Sequence, residues 1–213
     1  MSRKITLLDG AVGTALWGIA EKNSVKKEPV WKYNVEHPEF VEELTGKYLE
    51  AGSEMILANT FGANGPAVKR SSSYTVKQVV SEGVKAARRV LGGTGIRLCL
   101  SIGPLTQLLE PYGDLEEDEC AAIYDEMLDA GVEAGVDNIL IQTFMDLEMM
   151  RIATVEAKKY GLPVMCSMTF EKNGKTMFGN SVQDTIDTLE PLGIAAIGLN
   201  CSLGPDLALP IIK

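Results

Sequence analysis

The sequence has one histidine, no paired cysteines and no long apolar run, and each shortage removes a class of function. With His37 as its only histidine, the chain can form neither a histidine-based catalytic triad nor a histidine-rich metal site. Its four cysteines, Cys99, Cys120, Cys166 and Cys201, are widely scattered and form no Cys-x-x-Cys pair. This spacing is typical of reduced thiols in a cytoplasmic protein rather than of a disulfide framework.

Membrane and nucleic-acid partners are also poorly supported by the composition. The sequence contains no run of about 18 apolar residues, so no membrane span is expected. The 29 acidic residues outnumber the 20 basic ones, for a net charge of −9, and no basic stripe stands out that would bind a nucleic-acid backbone. The N-terminus leads into a predicted strand without the apolar core of a signal peptide. We therefore expect a cytoplasmic protein that binds neither nucleic acid nor a membrane.

Short apolar runs alternate with amphipathic stretches along all 213 residues. The apolar runs predict six strands: Ile5–Leu8, Glu54–Ala58, Arg97–Ile102, Asn138–Ile141, Pro163–Met168 and Ile194–Leu199. The stretches between them predict helices over Pro38–Ala51, Thr75–Leu91, Glu116–Ala134, Asp146–Tyr160 and Ser181–Leu192. This order is typical of an α/β protein whose parallel sheet is covered by helices. We interpret residues 1–213 as a single domain.

An open doubly wound sheet and a (β/α)8 barrel both have this order of elements. The segment Asp9-Gly10-Ala11-Val12-Gly13-Thr14 follows the first strand but lacks the third glycine of a dinucleotide-binding turn. The next strand ends on Ala58-Asn59-Thr60, without the acidic residue that binds a ribose. The barrel is therefore favoured. Because a closed barrel needs eight strands, six predict an incomplete barrel: the missing strands come from elsewhere, the chain is a fragment, or the fold is an open variant. Open strand edges invite association, and we expect a homo-oligomer.

Polar residues recur at the predicted carboxyl ends of the strands, where barrels place their chemistry. Asp9 could hold an ammonium group by a charge-assisted hydrogen bond, and the thiolate of Cys201 is a soft ligand suited to zinc. Four further side chains could orient polar atoms of a ligand: Asn59, Thr60, Gln142 and Thr143. A structural role stays open for all of them, since strands must end in something polar and most free cysteines are small buried apolar residues.

Five segments carry a more specific pattern. They are residues 9–14, residues 58–64, Ser101-Ile102-Gly103-Pro104, Met168-Thr169-Phe170, and Gly198-Leu199-Asn200-Cys201-Ser202-Leu203-Gly204-Pro205. In this order and spacing they resemble the homocysteine S-methyltransferase family, and most of all the N-terminal homocysteine-binding modules of cobalamin-dependent methionine synthases. The resemblance extends over essentially the whole chain.

The resemblance implies a zinc-dependent barrel that binds homocysteine as a zinc thiolate and activates it for methyl transfer to give methionine. It implies that Cys201 is a catalytic residue and the first of three zinc-binding thiolates, and that Asp9 helps to hold the amino group of the substrate. The residues predicted to bind the substrate are Asp9, Gly10, Asn59, Thr60, Gln142 and Asn200.

The chain departs from the family pattern at two places. The family's second and third zinc ligands are an adjacent Cys-Cys pair, which this sequence does not contain. Gln142-Thr143-Phe144 stands where the family has Glu-Thr-Phe, so an uncharged amide replaces a carboxylate.

Because the Cys-Cys pair is missing, a complementing chain that supplies it is a candidate partner. The alternative function is a truncated or catalytically silent barrel that binds a partner or another thiol.

The methyl donor is left open by the sequence. In the cobalamin-dependent members, methylcobalamin and methyltetrahydrofolate are handled by other domains, so a corrinoid protein is a further candidate partner. Betaine and S-methylmethionine stay open as donors, because residues 103–115 give no basis for choosing between them.

Overall fold

The computed structural model describes residues 5–212 and shows an α/β chain in which helices alternate with short strands. The strands are β1 (Met55–Leu57), β2 (Arg97–Ile102), β3 (Asn138–Phe144), β4 (Val164–Met168) and β5 (Ala196–Leu199). The helices are α1 (Val12–Lys22), α2 (Tyr33–Glu36), α3 (Pro38–Glu50), α4 (Gly65–Ser71), α5 (Val76–Leu91), α6 (Glu117–Glu133), α7 (Leu147–Lys158), α8 (Val182–Leu189) and α9 (Pro205–Ile212). Two 3-10 turns, Val30–Lys32 and Glu190–Leu192, complete the description. No helix in the described range is long and apolar enough to cross a membrane.

The chain divides into two compact units. The first runs to Ser101 and includes Asp129–Asp137; the second comprises Ile102–Leu128 and the chain from Asn138 onward. In the first unit, β1 and β2 pair in parallel, with Ile56 opposite Leu98. Its apolar core brings together α1, α2, α3 and α5 through Leu16, Ile19, Tyr33, Phe40, Leu44 and Ala86. This packing places the segment around Asp9 beside β1.

The second unit contains β3, β4 and β5, which pair in parallel in that order. The register places Gln142 opposite Ser167, and an irregularity between Gln142 and Phe144 marks a bulge at the end of β3. Strand β5 continues the sheet, with Cys166 opposite Ile197. The carboxyl ends of three neighbouring strands therefore lie side by side, and the bulge turns Thr143 out of the regular ladder.

Helix boundaries follow from local chemistry that is legible in the sequence. Pro38 occupies the first turn of α3, and Asp146 caps α7 by accepting hydrogen bonds from the backbone N–H groups of Glu148 and Met149. Gly52 and Gly161, beyond the ends of α3 and α7, have φ angles of +92° and +70°, which glycine adopts without strain. The five predicted helices correspond to α3, α5, α6, α7 and α8.

The prediction of a strand at Ile5–Leu8 is wrong, so the described residues contain five strands rather than six. Only Leu8 forms a bridge, with Met55. The N–H groups of both Glu54 and Met55 donate to the carbonyl of Leu7, at 2.8 and 3.3 Å. Because a regular parallel ladder uses every second N–H, this shared acceptor interrupts the pairing. Helices α1 and α4 were not predicted, since glycine lowers the helical propensity of both segments.

Candidate functional site

Cys201 is the one exposed thiol of the four cysteines. Cys99 lies in β2, Cys120 in α6 and Cys166 in β4, and all three are buried. Burial raises the pKa of Cys99 and Cys120 to about 12 and that of Cys166 to about 11. Of the four cysteines, Cys201, two residues past the end of β5, therefore offers the one accessible thiol for chemistry.

The backbone around this thiol is held in an unfavourable conformation. Thr143, Cys201 and Ser202 have φ angles of +67°, +58° and +46°, in the left-handed region that costs a non-glycine residue about 1–2 kcal/mol. Hydrogen bonds oppose this strain: the Ser202 hydroxyl donates to the Phe170 carbonyl at 2.6 Å. Such strain persists only where neighbouring contacts fix the backbone, and it is concentrated at functional sites.

The side chain of Asn200 ties the ends of β3 and β4 to the cysteine loop. Its Oδ1 accepts from the Thr143 backbone N–H at 3.1 Å and from the Ser167 hydroxyl at 2.9 Å. Its Nδ2 donates to Thr143 Oγ1 at 2.8 Å and to Cys201 Sγ at 3.4 Å. Both N–H bonds and both acceptor positions of the amide are thus used. Asn200 was predicted to bind substrate, and its geometry is that of a support for the thiol.

Thr143 is the second polar group at the sulfur. Its Oγ1 lies 3.9 Å from Cys201 Sγ and already accepts a hydrogen bond from Asn200. Gln142 precedes it in the bulge and is half-buried. Thr143 was predicted to orient polar atoms of a ligand. Ser167 was not among the predicted site residues, because its contact with Asn200 depends on the pairing of β4 and β5.

The described residues do not complete a zinc site. Structural zinc sites have four protein ligands and catalytic sites usually three. Residues 5–212 contain no group of three or more His, Cys, Asp or Glu side chains that could hold a metal ion. Cys201 is thus a single candidate ligand, and the other cysteines are buried within their own elements.

A buried carboxylate lies in the first unit, at Asp9. Its Oδ2 accepts from the Leu57 backbone N–H at 2.9 Å, and within the described chain its buried Oδ1 has no hydrogen-bond partner. Burial raises the pKa of Asp9 to about 6, against a lowering by the Leu57 N–H. Burial destabilises the charged form of this carboxylate, and one of its oxygens lacks a hydrogen bond. A cationic donor such as an ammonium group would therefore stabilise it.

Tyr48 of α3 covers the segment next to Asp9. Its hydroxyl donates to the Ala11 carbonyl at 3.1 Å, and a Cβ added at Gly10 would lie 2.9 Å from that hydroxyl oxygen. Glycine at position 10 therefore allows the ring to approach the backbone. Burial, followed by the negative charge of Asp9, raises the pKa of Tyr48. No residue pattern other than this glycine points to Tyr48.

Asn59 and Thr60 were predicted to bind substrate, and both are buried and bonded within the fold. Asn59 Nδ2 donates to the Val30 carbonyl at 2.8 Å and to Asn34 Oδ1 at 2.7 Å. The Thr60 hydroxyl donates to the Ser101 carbonyl at 2.8 Å. These bonds fix the end of β1 against its surroundings, and a direct contact with substrate stays a prediction for both residues.

The fold and the site together define an α/β protein of the (β/α)8 type. Its described barrel is incomplete, and a thiol lies at the carboxyl end of one strand. The sequence comparison specifies it further. The family model described as homocysteine S-methyltransferase matches residues 6–213. The chain therefore belongs to the homocysteine S-methyltransferase family, and the resemblance noted in the sequence is confirmed.

The relatives span more than this chain. Methionine synthase of Mycobacterium tuberculosis is 28% identical over 233 residues, which cover 96% of this chain and 18% of that protein. Betaine–homocysteine S-methyltransferase 1 of Rattus norvegicus is 26% identical over 216 residues, covering 99% of this chain and 51% of the relative. The chain thus spans from about a fifth to about half of these relatives.

Solved structures support the fold. The metallated form of the homocysteine methyltransferase MmuM from Escherichia coli matches with a TM-score of 0.83 and 19% identity, over 99% of this chain and 79% of that one. The apo form of the same enzyme matches with a TM-score of 0.77. The α/β class and the incomplete barrel type predicted from the sequence are confirmed, with five strands in the described chain.

Proposed function

We propose that this chain is the homocysteine-binding module of a methyltransferase that converts homocysteine to methionine. The observation that carries this proposal is the exposed thiol of Cys201, fixed by Asn200 at the carboxyl end of β5 in a chain that matches the family over residues 6–213. A single accessible thiol in a strained, hydrogen-bonded loop is suited to a role as a metal ligand rather than as a packing residue.

In this proposal Cys201 contributes one ligand to zinc. Zinc bound to the sulfur of homocysteine would lower the pKa of that thiol and favour the nucleophilic thiolate. Because residues 5–212 supply one candidate ligand, zinc-dependent activation is proposed only for an assembly in which further ligands join Cys201. The part of this chain is to place the sulfur ligand, through Asn200 and Thr143.

The amino group of homocysteine is proposed to bind at Asp9. Its buried Oδ1 can accept a hydrogen bond that no described residue provides, and an ammonium donor would favour the carboxylate over the protonated acid. Gly10 and Tyr48 shape the backbone beside it. Gln142, in the second unit, is proposed to bind substrate on the sequence pattern alone, while Asn59, Thr60 and Asn200 act as supports.

The methyl donor is proposed to come from outside this chain. Methylcobalamin or methyltetrahydrofolate bound to another domain or to a corrinoid protein would fit the relation to methionine synthase, and betaine is the donor in the name of the rat relative. A cytoplasmic location and a homo-oligomeric state remain predictions of the sequence.

The amino-group contact is tested by calorimetric titration with homocysteine and with 4-mercaptobutyrate, which lacks the amino group. We expect Asp9→Asn to weaken homocysteine binding about tenfold, as for the loss of one charge-assisted hydrogen bond, and to leave 4-mercaptobutyrate binding unchanged. Glu50→Gln, which removes an exposed carboxylate of the same unit, serves as the control. Failure of the wild-type protein to bind homocysteine, with or without zinc, would contradict the proposed function.

A further inference from the structure

A small cavity in the first unit is lined by residues of α1, α3 and β1 together with two polar residues next to β1. Its free volume of about 10 Å³ is at the lower limit for one water molecule. The apolar part of its lining includes Leu16, Val41, Leu44 and Ile56, and its polar side chains are Asp9, Thr45, Tyr48 and Asn59. A small polar molecule would fit this cavity if these polar side chains have hydrogen-bonding positions to offer.

Two of the polar side chains have such a position. Oδ1 of Asp9 and Oδ1 of Asn59 are buried, and neither atom has a hydrogen-bond partner in the described part of the chain. Oδ1 of Asn138 is a third oxygen of this kind, but Asn138 does not line the cavity. Buried polar atoms are nearly always bonded to protein or to ordered water. Two such acceptors on one cavity therefore indicate a hydrogen-bond donor inside it.

The two hydroxyl groups of the lining cannot be that donor. The Thr45 hydroxyl donates to the Val41 carbonyl at 2.8 Å, and the Tyr48 hydroxyl donates to the Ala11 carbonyl at 3.1 Å. A hydroxyl group has a single hydrogen to donate, so both are already used. The donor for the two Oδ1 atoms has to come from a bound molecule.

The orientation of the Asn59 amide is fixed by its neighbours. Its Nδ2 donates both hydrogens, to the Val30 carbonyl at 2.8 Å and to Asn34 Oδ1 at 2.7 Å. Asn34 is fixed in turn, because its Nδ2 donates to the carbonyls of Asn59 and Val79. Turning the Asn59 amide over would bring its Oδ1 against two other acceptors. Asn59 therefore offers the cavity an acceptor and not a donor.

We propose that this cavity binds one water molecule, which donates one hydrogen bond to Asp9 Oδ1 and the other to Asn59 Oδ1. A water molecule has two hydrogens, as many as the acceptors that need one, and the cavity has the volume of one. A magnesium or calcium ion would need about six oxygen ligands or more, which exceeds the four polar side chains of the lining.

The bridging water would hold the Asp9 carboxylate at both ends. Its Oδ2 accepts from the Leu57 N–H at 2.9 Å, and its Oδ1 would be joined through the water to Asn59. The carboxylate could then not rotate about its Cβ–Cγ bond without breaking one of these bonds. Each carboxylate oxygen has two lone pairs, so Oδ1 can also accept from an ammonium group. That role of Asp9 rests on the proposed function, whereas the water and its two bonds do not.

The direct test is a high-resolution crystal structure of the protein without homocysteine and without zinc. We expect one solvent peak within about 3 Å of both Asp9 Oδ1 and Asn59 Oδ1. The proposal would be overturned by a cavity without a peak, or by a peak at hydrogen-bond distance from one oxygen alone. A direct hydrogen bond between a protonated Asp9 and Asn59 would overturn it as well.

A second test in solution uses the matched variants Val41→Ile and Val84→Ile, whose wild-type side chains are 4% and 0% exposed. Both lie in helices of the first unit, and Val41 lines the cavity whereas Val84 does not. Each change adds one methylene group to a packed core, but only the one at Val41 takes the space of the water. The pKa of Asp9 is measured by carbon-13 NMR of its carboxyl carbon.

We expect Val41→Ile to raise the pKa of Asp9 by about 1, because the charged form loses a hydrogen bond, and Val84→Ile to titrate as wild type. The titratable side chains that interact with Asp9 are Tyr48 and Cys99. Burial raises the pKa of both, so neither is charged between about pH 3 and about pH 8. An unchanged pKa in Val41→Ile, or equal shifts in the two folded variants, would contradict the bridging water. Homocysteine is absent from both tests, so a negative result leaves homocysteine binding to the calorimetric titration.

Discussion

At the scale of single residues, Cys201 differs from the other cysteines in both exposure and surroundings. Burial shields the thiols of Cys99, Cys120 and Cys166 and raises their pKa values to about 11–12, so their reactive thiolates are scarce at neutral pH. We expect iodoacetamide at pH 8 to label the native protein once and the denatured protein four times, as counted by mass spectrometry. Rapid labelling of the native Cys201→Ser variant would show that another thiol is accessible.

The buried carboxylate of Asp9 should make stability depend on pH. Burial raises its pKa from 3.8 to about 6, so between these values the folded state holds a proton that the unfolded state has lost. The free energy of unfolding should therefore fall as pH rises from about 4 to about 6, and the full penalty is present above that range.

Asp9→Asn removes this titration and keeps an acceptor for the Leu57 N–H. At pH 7.5 the variant should be more stable than wild type by about 1–2 kcal/mol, after allowance for partial exposure of the carboxyl. At pH 3.5 this difference should disappear. Urea unfolding at the two pH values measures it, and a variant that is equally or less stable at pH 7.5 would contradict the buried, incompletely bonded carboxylate.

The sequence identified Asp9 and Cys201 because each interrupts a pattern at the end of an apolar run. Tyr48 and Ser167 gave no such signal. Tyr48 lies in the middle of an amphipathic helix and Ser167 inside a buried strand, and their roles come from contacts with Ala11 and Asn200 that are distant in sequence. Residue patterns report the local chain, whereas these contacts exist only after the strands and helices have packed.

At the scale of secondary-structure elements, Asn200 acts as a tie between strand ends. Its side chain bonds Thr143 at the end of β3 and Ser167 in β4. Asn200→Ala would leave these groups without their partner, and we expect a loss of about 2 kcal/mol in the free energy of unfolding.

A matched control is Asn173→Ala. Its Oδ1 accepts from the Lys175 backbone N–H at 2.9 Å in an exposed turn, where water can replace the lost bond, so the cost should stay below about 0.5 kcal/mol. Chemical denaturation of both variants provides the comparison. Equal losses would mean that the Asn200 amide does not join the strand ends.

Helices were predictable where the sequence has both a helical period of apolar residues and residues that mark the start and the end of the helix. Helices α3 and α7 have both, with Pro38 and Asp146 at their starts and glycines past their ends. The segment Ile5–Leu8 has the apolar residues of a strand, but pairing depends on the register against β1, which the segment itself does not encode. The bulge at Thr143 was not predictable for the same reason.

At the scale of the whole molecule, the chain belongs to the homocysteine S-methyltransferase family, whose model matches residues 6–213. In the first unit, the buried Oδ1 atom of Asp9 has no hydrogen-bond partner among the described residues. In the second unit, Cys201 is a single candidate metal ligand, without the further ligands that a zinc site needs. In our account both are sites for other components, namely the substrate and the metal.

The central claim is that homocysteine binding depends on Cys201. The most direct test is the dissociation constant of homocysteine in the presence of equimolar zinc and of a complementing polypeptide that supplies the further zinc ligands. It is measured for wild type, Cys201→Ser and the control Cys120→Ala, which alters a buried cysteine. The account predicts that wild type and the control bind homocysteine with similar affinity. It predicts that Cys201→Ser binds it at least about tenfold more weakly, because loss of even an outer-shell partner of a metal site typically costs about 10–100-fold in metal affinity or activity. Equal affinity of wild type and Cys201→Ser, with melting temperatures showing both to be folded, would contradict it.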